Sequence, residues 1–284
     1  MDYFKQSFEH YELTMLQTQK FKTNRIRITF ANELNDATIT SRALLPYLLR
    51  SASALYPTRK ALSTKLEEMY AANLGVSVEK KGLTHILTYE ISMINNRYTL
   101  NEENLLNEGL LFLNEILFNP LFEENILIEE KRLLDEYHKS IYANKMRFAM
   151  KEALASMYHG EQYNIGALGN QADISKITLD DIKDAYKSMI KNDVVNISII
   201  GDINYDDMVH QLSQTLSIKN HKKELILLDK TPKKEKDITQ LCSIQDVSQA
   251  KLVIGYQFPV YYGTDDYYKA VVLNSLLGGN TESL

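Results

Sequence analysis

The chain has 284 residues, 44% of them hydrophobic and 24% charged, with a formal net charge of −5. That length suggests one large or two medium domains, and the acidic balance speaks against a nucleic-acid partner, which would need a basic face. Apolar runs such as "LLPYLL" and "ISII" fall well short of the ~20 residues of a membrane span. The start "MDYFKQSFEHYEL" lacks a basic, then apolar, leader, and a single cysteine, Cys242, excludes an intrachain disulfide, so a reducing cytoplasm is the expected location.

In chain order, residues 24–33 alternate Ile26, Ile28 and Phe30 with Arg25, Arg27 and Thr29, the period of a strand with one wet face. "ITSRALLPYLLRSAS" then has the apolar density of a buried helix, with Asp36 as the expected N-cap. Pro46 near its middle costs about 3 kcal/mol in a helix interior. The next helix carries the stripe Leu62, Leu66, Met69 and Tyr70, with Gly75 as its expected terminator. Two strands joined at "KKG" follow, with Leu87, Tyr89, Ile91 and Met93 inward.

A helix through Leu106, Leu110, Leu113 and Leu117 stops at Asn119 and Pro120. A longer helix from Glu123 to about Tyr142 is expected to bury Ile126, Leu133, Tyr137 and Ile141, and another runs through "RFAMKEALASMY". Thr178 and Asp181 form an acidic capping box for the helix of Leu179, Ile182, Tyr186 and Met189. The strand "NDVVNISIIGDI" and a closing helix complete an α+β unit, a mostly antiparallel sheet with helices packed on one face.

The composition then turns lysine-rich. Residues 1–225 are expected to form the first domain, 226–240 a basic linker with an edge strand nearby at "LILL", and 241–284 the truncated start of a second, similar domain. In that last part Leu252, Ile254, Tyr256 and Phe258 alternate before the helix "TDDYYKAVVLNSLLGG", echoing the order of residues 24–55. A strand and a helix are too little to cover that stripe, so the rest of the second domain, or a second copy in a homodimer, is the expected cover.

Chemistry is sparse. Gly278 and Gly279 lack the lysine of a phosphate loop. The six histidines, His10, His85, His138, His159, His210 and His221, show no i, i+4 pair for zinc, so each reads as a surface or polar-network residue. Glu129 and Glu136 lie two helical turns apart beside Ile126 and Leu133, and are expected to face inward.

The order of these elements resembles the first domain of the insulinase/pitrilysin-type metallopeptidases, which include the mitochondrial processing peptidases. "YNIGALGNQADISKITLDDIKDAYKSMI", "NDVVNISIIGDINYDDMVHQL" and "QAKLVIGYQFPVYYGTDDYYKAVVLNSLLGG" carry the likeness. Active members hold zinc with an inverted motif, His-x-x-Glu-His, on the helix after the early strand, and a distant glutamate completes the site. Here the motif falls on "ALLPY", with Ala43 and Tyr47 at the histidines and Pro46 at the general base. Glu129 and Glu136 correspond to the downstream glutamate pair, as vestigial ligand positions.

The resemblance therefore implies a non-catalytic bacterial member of the type associated with elongation factor P modification, without zinc or other cofactor. Such a protein would be a peptide-binding or structural subunit beside an active zinc-peptidase relative, with unfolded peptide as ligand. Two other readings are a metalloendopeptidase with an unusual site of Glu129, Glu136 and a remote histidine such as His159, and a stand-alone peptide-binding or assembly protein.

Overall fold

Alternation of apolar and polar residues builds the sheet, and the covering helices follow from it. The computed structural model describes residues 2–100, 103–219, 238–256 and 260–279. Six strands, β1 (Asp2–Ser7), β2 (Glu12–Gln17), β3 (Thr23–Glu33), β4 (Asn73–Lys81), β5 (Thr84–Ile94) and β6 (Val194–Gly201), lie in the order β1-β2-β6-β3-β5-β4. All neighbours are antiparallel except β2 and β6, which run parallel with Glu12 opposite Asn196.

Ile26, Ile28 and Phe30 of β3 point to the same face as Leu87, Tyr89 and Ile91 of β5 and Ile197 and Ile199 of β6, and all are buried. The other face is polar and carries a surface cluster in which Arg25 and Arg27 bracket Glu90 at 3.3 and 2.6 Å. The hairpin β4–β5 turns at Gly82, whose φ of +58° lies where a Cβ is disfavoured.

The covering helices are α1 (Ile39–Leu49), α2 (Arg59–Glu68), α3 (Leu105–Phe118), α4 (Glu124–Ala143), α5 (Lys145–Met157), α6 (Gln171–Ile174), α7 (Leu179–Asn192) and α8 (Tyr205–Thr215). Helix α1 lies between the sheet and the outer helices, and of its eleven residues only Tyr47 is not fully buried. The helix continues through Pro46 to Leu49. The proline cannot donate to the Arg42 carbonyl, so burial of the leucines around it must offset that loss. The capping box of α7 is present as read, with Thr178 Oγ1 accepting from Asp181 N and the Asp181 carboxylate accepting from Thr178 N.

Beneath α1 sits a buried polar knot. The Arg42 guanidinium pairs with Asp193 through two nitrogens and donates to His85 Nδ1 at 3.1 Å. His85 Nε2 faces the Ala167 carbonyl at 2.9 Å, and Asn32 Nδ2 donates to Asp193 Oδ1 at 2.7 Å. Because Nδ1 accepts from Arg42, the ring proton is on Nε2 and donates to Ala167. Burial, then the Arg42 charge, lowers the His85 pKa to about 3. The 166–170 loop this anchors presses on the start of α1, where Gly169 adopts φ +71° and a Cβ would stand 2.2 Å from Thr40 Oγ1.

Several expectations are corrected. The start of the chain supplies the hairpin β1–β2, which was not foreseen. The N-cap of α1 is Thr38, while Asp36 accepts from Asn170 Nδ2 at 2.9 Å. Gly75 lies inside β4, and α2 is instead turned off by Tyr70 and Ala71, both at positive φ. Helix α4 is rotated by one residue from the expected register. It buries Leu127, Glu130 and Leu134, whereas Leu133 and Tyr137 are each 40% exposed.

Residues 251–256 form no strand, and Leu252, Ile254 and Tyr256 are exposed. Among the described residues the helical half of the expected repeat is present, as α9 (Asp265–Asn274) continuing into a wider turn over Ser275–Gly279. An alternating segment becomes a strand only beside another strand, and among the described residues none lies next to it. "LILL", most of the basic linker, His221 and Phe258 lie outside the described residues. Among the described residues no helix is long and apolar enough to cross a membrane.

Candidate functional site

The positions singled out by the zinc motif lie where α1 meets α4. Burial of α1 fixes its orientation, so Ala43 and Pro46 are enclosed, and Tyr47 alone emerges on the side of α4. The Tyr47 hydroxyl is held in its neutral form, since burial raises its pKa more than Arg50 lowers it, and Glu130 and Tyr137 add to the rise. The guanidinium of Arg50 lies over the Tyr47 ring, its Cζ 5.2 Å from the ring centroid, within cation–π range.

From the other side, α4 presents Glu130, 4% exposed, rather than Glu129 or Glu136. Arg59, entering from α2, holds Glu129 Oε1 at 2.8 Å and Glu130 Oε1 at 2.6 Å. Its Nε donates to Ser51 Oγ at 3.2 Å, and Ser51 Oγ in turn donates to the Tyr47 carbonyl at 2.7 Å. This chain of bonds ties α2, the end of α1 and α4 together. Burial raises the Glu130 pKa above the ordinary carboxylate value, although Arg59 and Arg50 both pull it down.

Glu129 and Glu136 were expected to face inward; instead both are about half exposed. Glu136 pairs with Arg132 one turn back at 2.6 Å, a surface contact of small energetic consequence. The two-turn spacing taken from the inward residue Glu130 leads to Tyr137. The facing side chains of α1 and α4 are therefore Tyr47, Glu130 and Tyr137. The signal that could have found Glu130 was the adjacent row Leu127–Leu134, one residue on from the row chosen.

These residues do not fit a zinc ion. Alanine and proline offer no ligand atom, the tyrosine is neutral, and the buried carboxylate is already engaged by Arg59. Among the described residues no three His, Cys, Asp or Glu side chains converge on one point. His159 is exposed just past α5, and Cys242 is exposed and free.

Beside this cluster lies an open groove of about 330 Å³, lined by Arg50, Arg59 and Glu130 and by the apolar Leu66, Leu74 and Leu133. Leu74 belongs to β4, the edge strand of the sheet.

Residues 176–284 match the family model described as the peptidase M16 inactive domain. A curated relative, the probable inactive metalloprotease YmfF of Bacillus subtilis (strain 168), is 27% identical over 275 residues, 95% of this chain and 64% of the relative. The chain thus spans somewhat less than two thirds of that relative's length. A solved conserved protein from Enterococcus faecalis V583 is 28% identical, with a TM-score of 0.85 over 100% of this chain and 68% of its own. The peptidase M16 inactive domain from Pseudomonas fluorescens shares the fold, with a TM-score of 0.66 at 17% identity over 82% of this chain and 54% of its own. The chain is thus similar to the peptidase M16 inactive domain over residues 176–284 and, over most of its length, to a probable inactive metalloprotease.

Proposed function

We propose that this protein is a peptide-binding or structural subunit that works beside an active zinc-peptidase relative in the cytoplasm and performs no hydrolysis of its own. The observation that carries this reading is the meeting of α1 and α4. The two helices that would hold a metal face each other, yet Ala43, Pro46 and Tyr47 supply no ligand and Arg59 occupies the buried acid between them, Glu130. Binding without catalysis is supported by the groove next to β4, which among the described residues is the edge strand of the sheet. Backbone groups along such an edge and an apolar trough together suit an extended polypeptide.

The test is co-expression with a relative that carries an intact His-x-x-Glu-His motif. A stable complex on size exclusion, with hydrolysis of unfolded peptide raised over the relative alone, is the expected result. No complex and no effect on the relative's rate would remove the partner role. Zinc-dependent hydrolysis by this chain alone would remove the inert reading.

A further inference from the structure

The groove beside α1 is asymmetric in its cations. Arg59 bonds through all three of its nitrogens, to Glu129 from one, to Glu130 from another and to Ser51 from Nε. Arg50, at the C-terminal cap of α1, is exposed and lines the same groove, and among the described residues no carboxylate lies within ion-pairing distance of it. The Tyr47 ring lies against the guanidinium, and among the described residues no hydrogen bond uses its N–H edge. A cation–π contact of this kind restrains the guanidinium without consuming its donors. Glu130 is buried and hydrogen-bonded to Arg59; Arg50 acts on it only through space, so the N–H groups of Arg50 are not used by it.

A guanidinium at the mouth of a trough suits an oxyanion, and the leucine lining favours one carried on an apolar chain, a carboxylate. We infer that Arg50 is the anchor of a carboxylate-binding subsite, which seats an acidic group of a peptide while Leu66, Leu74 and Leu133 take the apolar residues beside it. This rests on the peptide-binding reading above and narrows it to a class of ligand. The carboxylate could be the C-terminus of the peptide or an Asp or Glu side chain, and the test separates the two.

Three acetylated Ala–Leu heptapeptides would be titrated calorimetrically into the full chain at low salt: one with a free C-terminal carboxylate, one amidated, and one amidated with an internal Glu. At least one acidic peptide should bind roughly tenfold or more tightly than the neutral amide. Arg50→Met, an exposed substitution that keeps the length of the side chain, should abolish the difference, and Arg50→Lys should restore part of it. If the internal-Glu peptide equals the free acid, the subsite takes side-chain carboxylates; if it equals the amide, the subsite takes the chain end. Equal affinity for all three peptides, or a preference unchanged in Arg50→Met, would overturn the subsite while leaving peptide binding in place. Failure of every peptide, and of a denatured carboxymethylated protein, to bind would instead remove the reading on which the subsite rests.

Discussion

Arg42 and Asp193, 151 residues apart in sequence, are ion-paired in the interior, with Asp193 wholly enclosed and Arg42 only 6% exposed. The pair joins the middle of α1 to the point where α7 ends and β6 begins. Its energetics are set by what happens when one partner is lost, because a charge left alone in a low-dielectric interior is far more costly than a pair.

Arg42→Met should therefore destabilise the protein by about 3–5 kcal/mol. The double variant Arg42→Met, Asp193→Asn should recover a sizeable part of that, since the stranded charge is gone. Urea denaturation of the four members of the cycle measures the coupling, and additive effects would show that the pair does not act as a unit.

His85 should make the protein acid-sensitive in a defined window. Its folded pKa is lowered from 6.5 to about 3, so between those values the unfolded chain binds a proton that the folded chain refuses. Stability must then rise with pH across that window and fall on acidification through it. In His85→Gln the slope of stability against pH between 6 and 4 should be shallower than in the parent, as measured by urea midpoints at each pH.

The register of α4 has its own test. Ala43→His, Pro46→Glu and Tyr47→His, combined with Arg59→Ala to free Glu130, should create measurable zinc affinity, with Glu130 as the inward acid of α4. Adding Glu130→Gln to this variant should weaken zinc binding at least tenfold, whereas adding Glu136→Gln should leave it unchanged. Calorimetric zinc titration decides between the two, and dependence on Glu136 would mean that α4 is turned the other way.

The reversal after α2 is strained. Ala71 has φ +56°, where a Cβ costs roughly 1–2 kcal/mol, while glycine there loses more entropy on folding. Ala71→Gly should accordingly stabilise by about 0.5–1 kcal/mol, a rise in melting temperature of ~2 °C. Neighbouring Tyr70 should not be exchanged so freely, because its hydroxyl accepts from Leu100 N at 3.0 Å.

What could be read in advance follows from how many constraints act on each segment. For β3, β5 and α3 a single apolar row fixed the inward face, and Ile26, Tyr89 and Leu110 are buried as expected. The capping box at Thr178 was legible because its chemistry is local. Helix α4 has two adjacent apolar rows, Ile126–Leu133–Tyr137 and Leu127–Leu134, and periodicity cannot choose between them. The choice is made by the groups around α4, where Arg59 meets Glu130, and that shifted the candidate acids by one residue. Strands β1 and β2 are six residues each, and in β2 only Leu13 and Met15 are buried, too short a pattern to stand out. The buried Arg42–Asp193–His85 knot joins residues distant in sequence, and no local pattern announces it.

The parallel seam between β2 and β6 also governs the order of assembly. On a ribosome β3, β4 and β5 emerge close together and can pair at once, but Glu12 must wait for Asn196. The hairpin β1–β2 is thus seated only after β6 has been made, and its buried side chains Leu13 and Met15 stay uncovered until then. Nascent chains that stall before residue 194 should present this hairpin to chaperones.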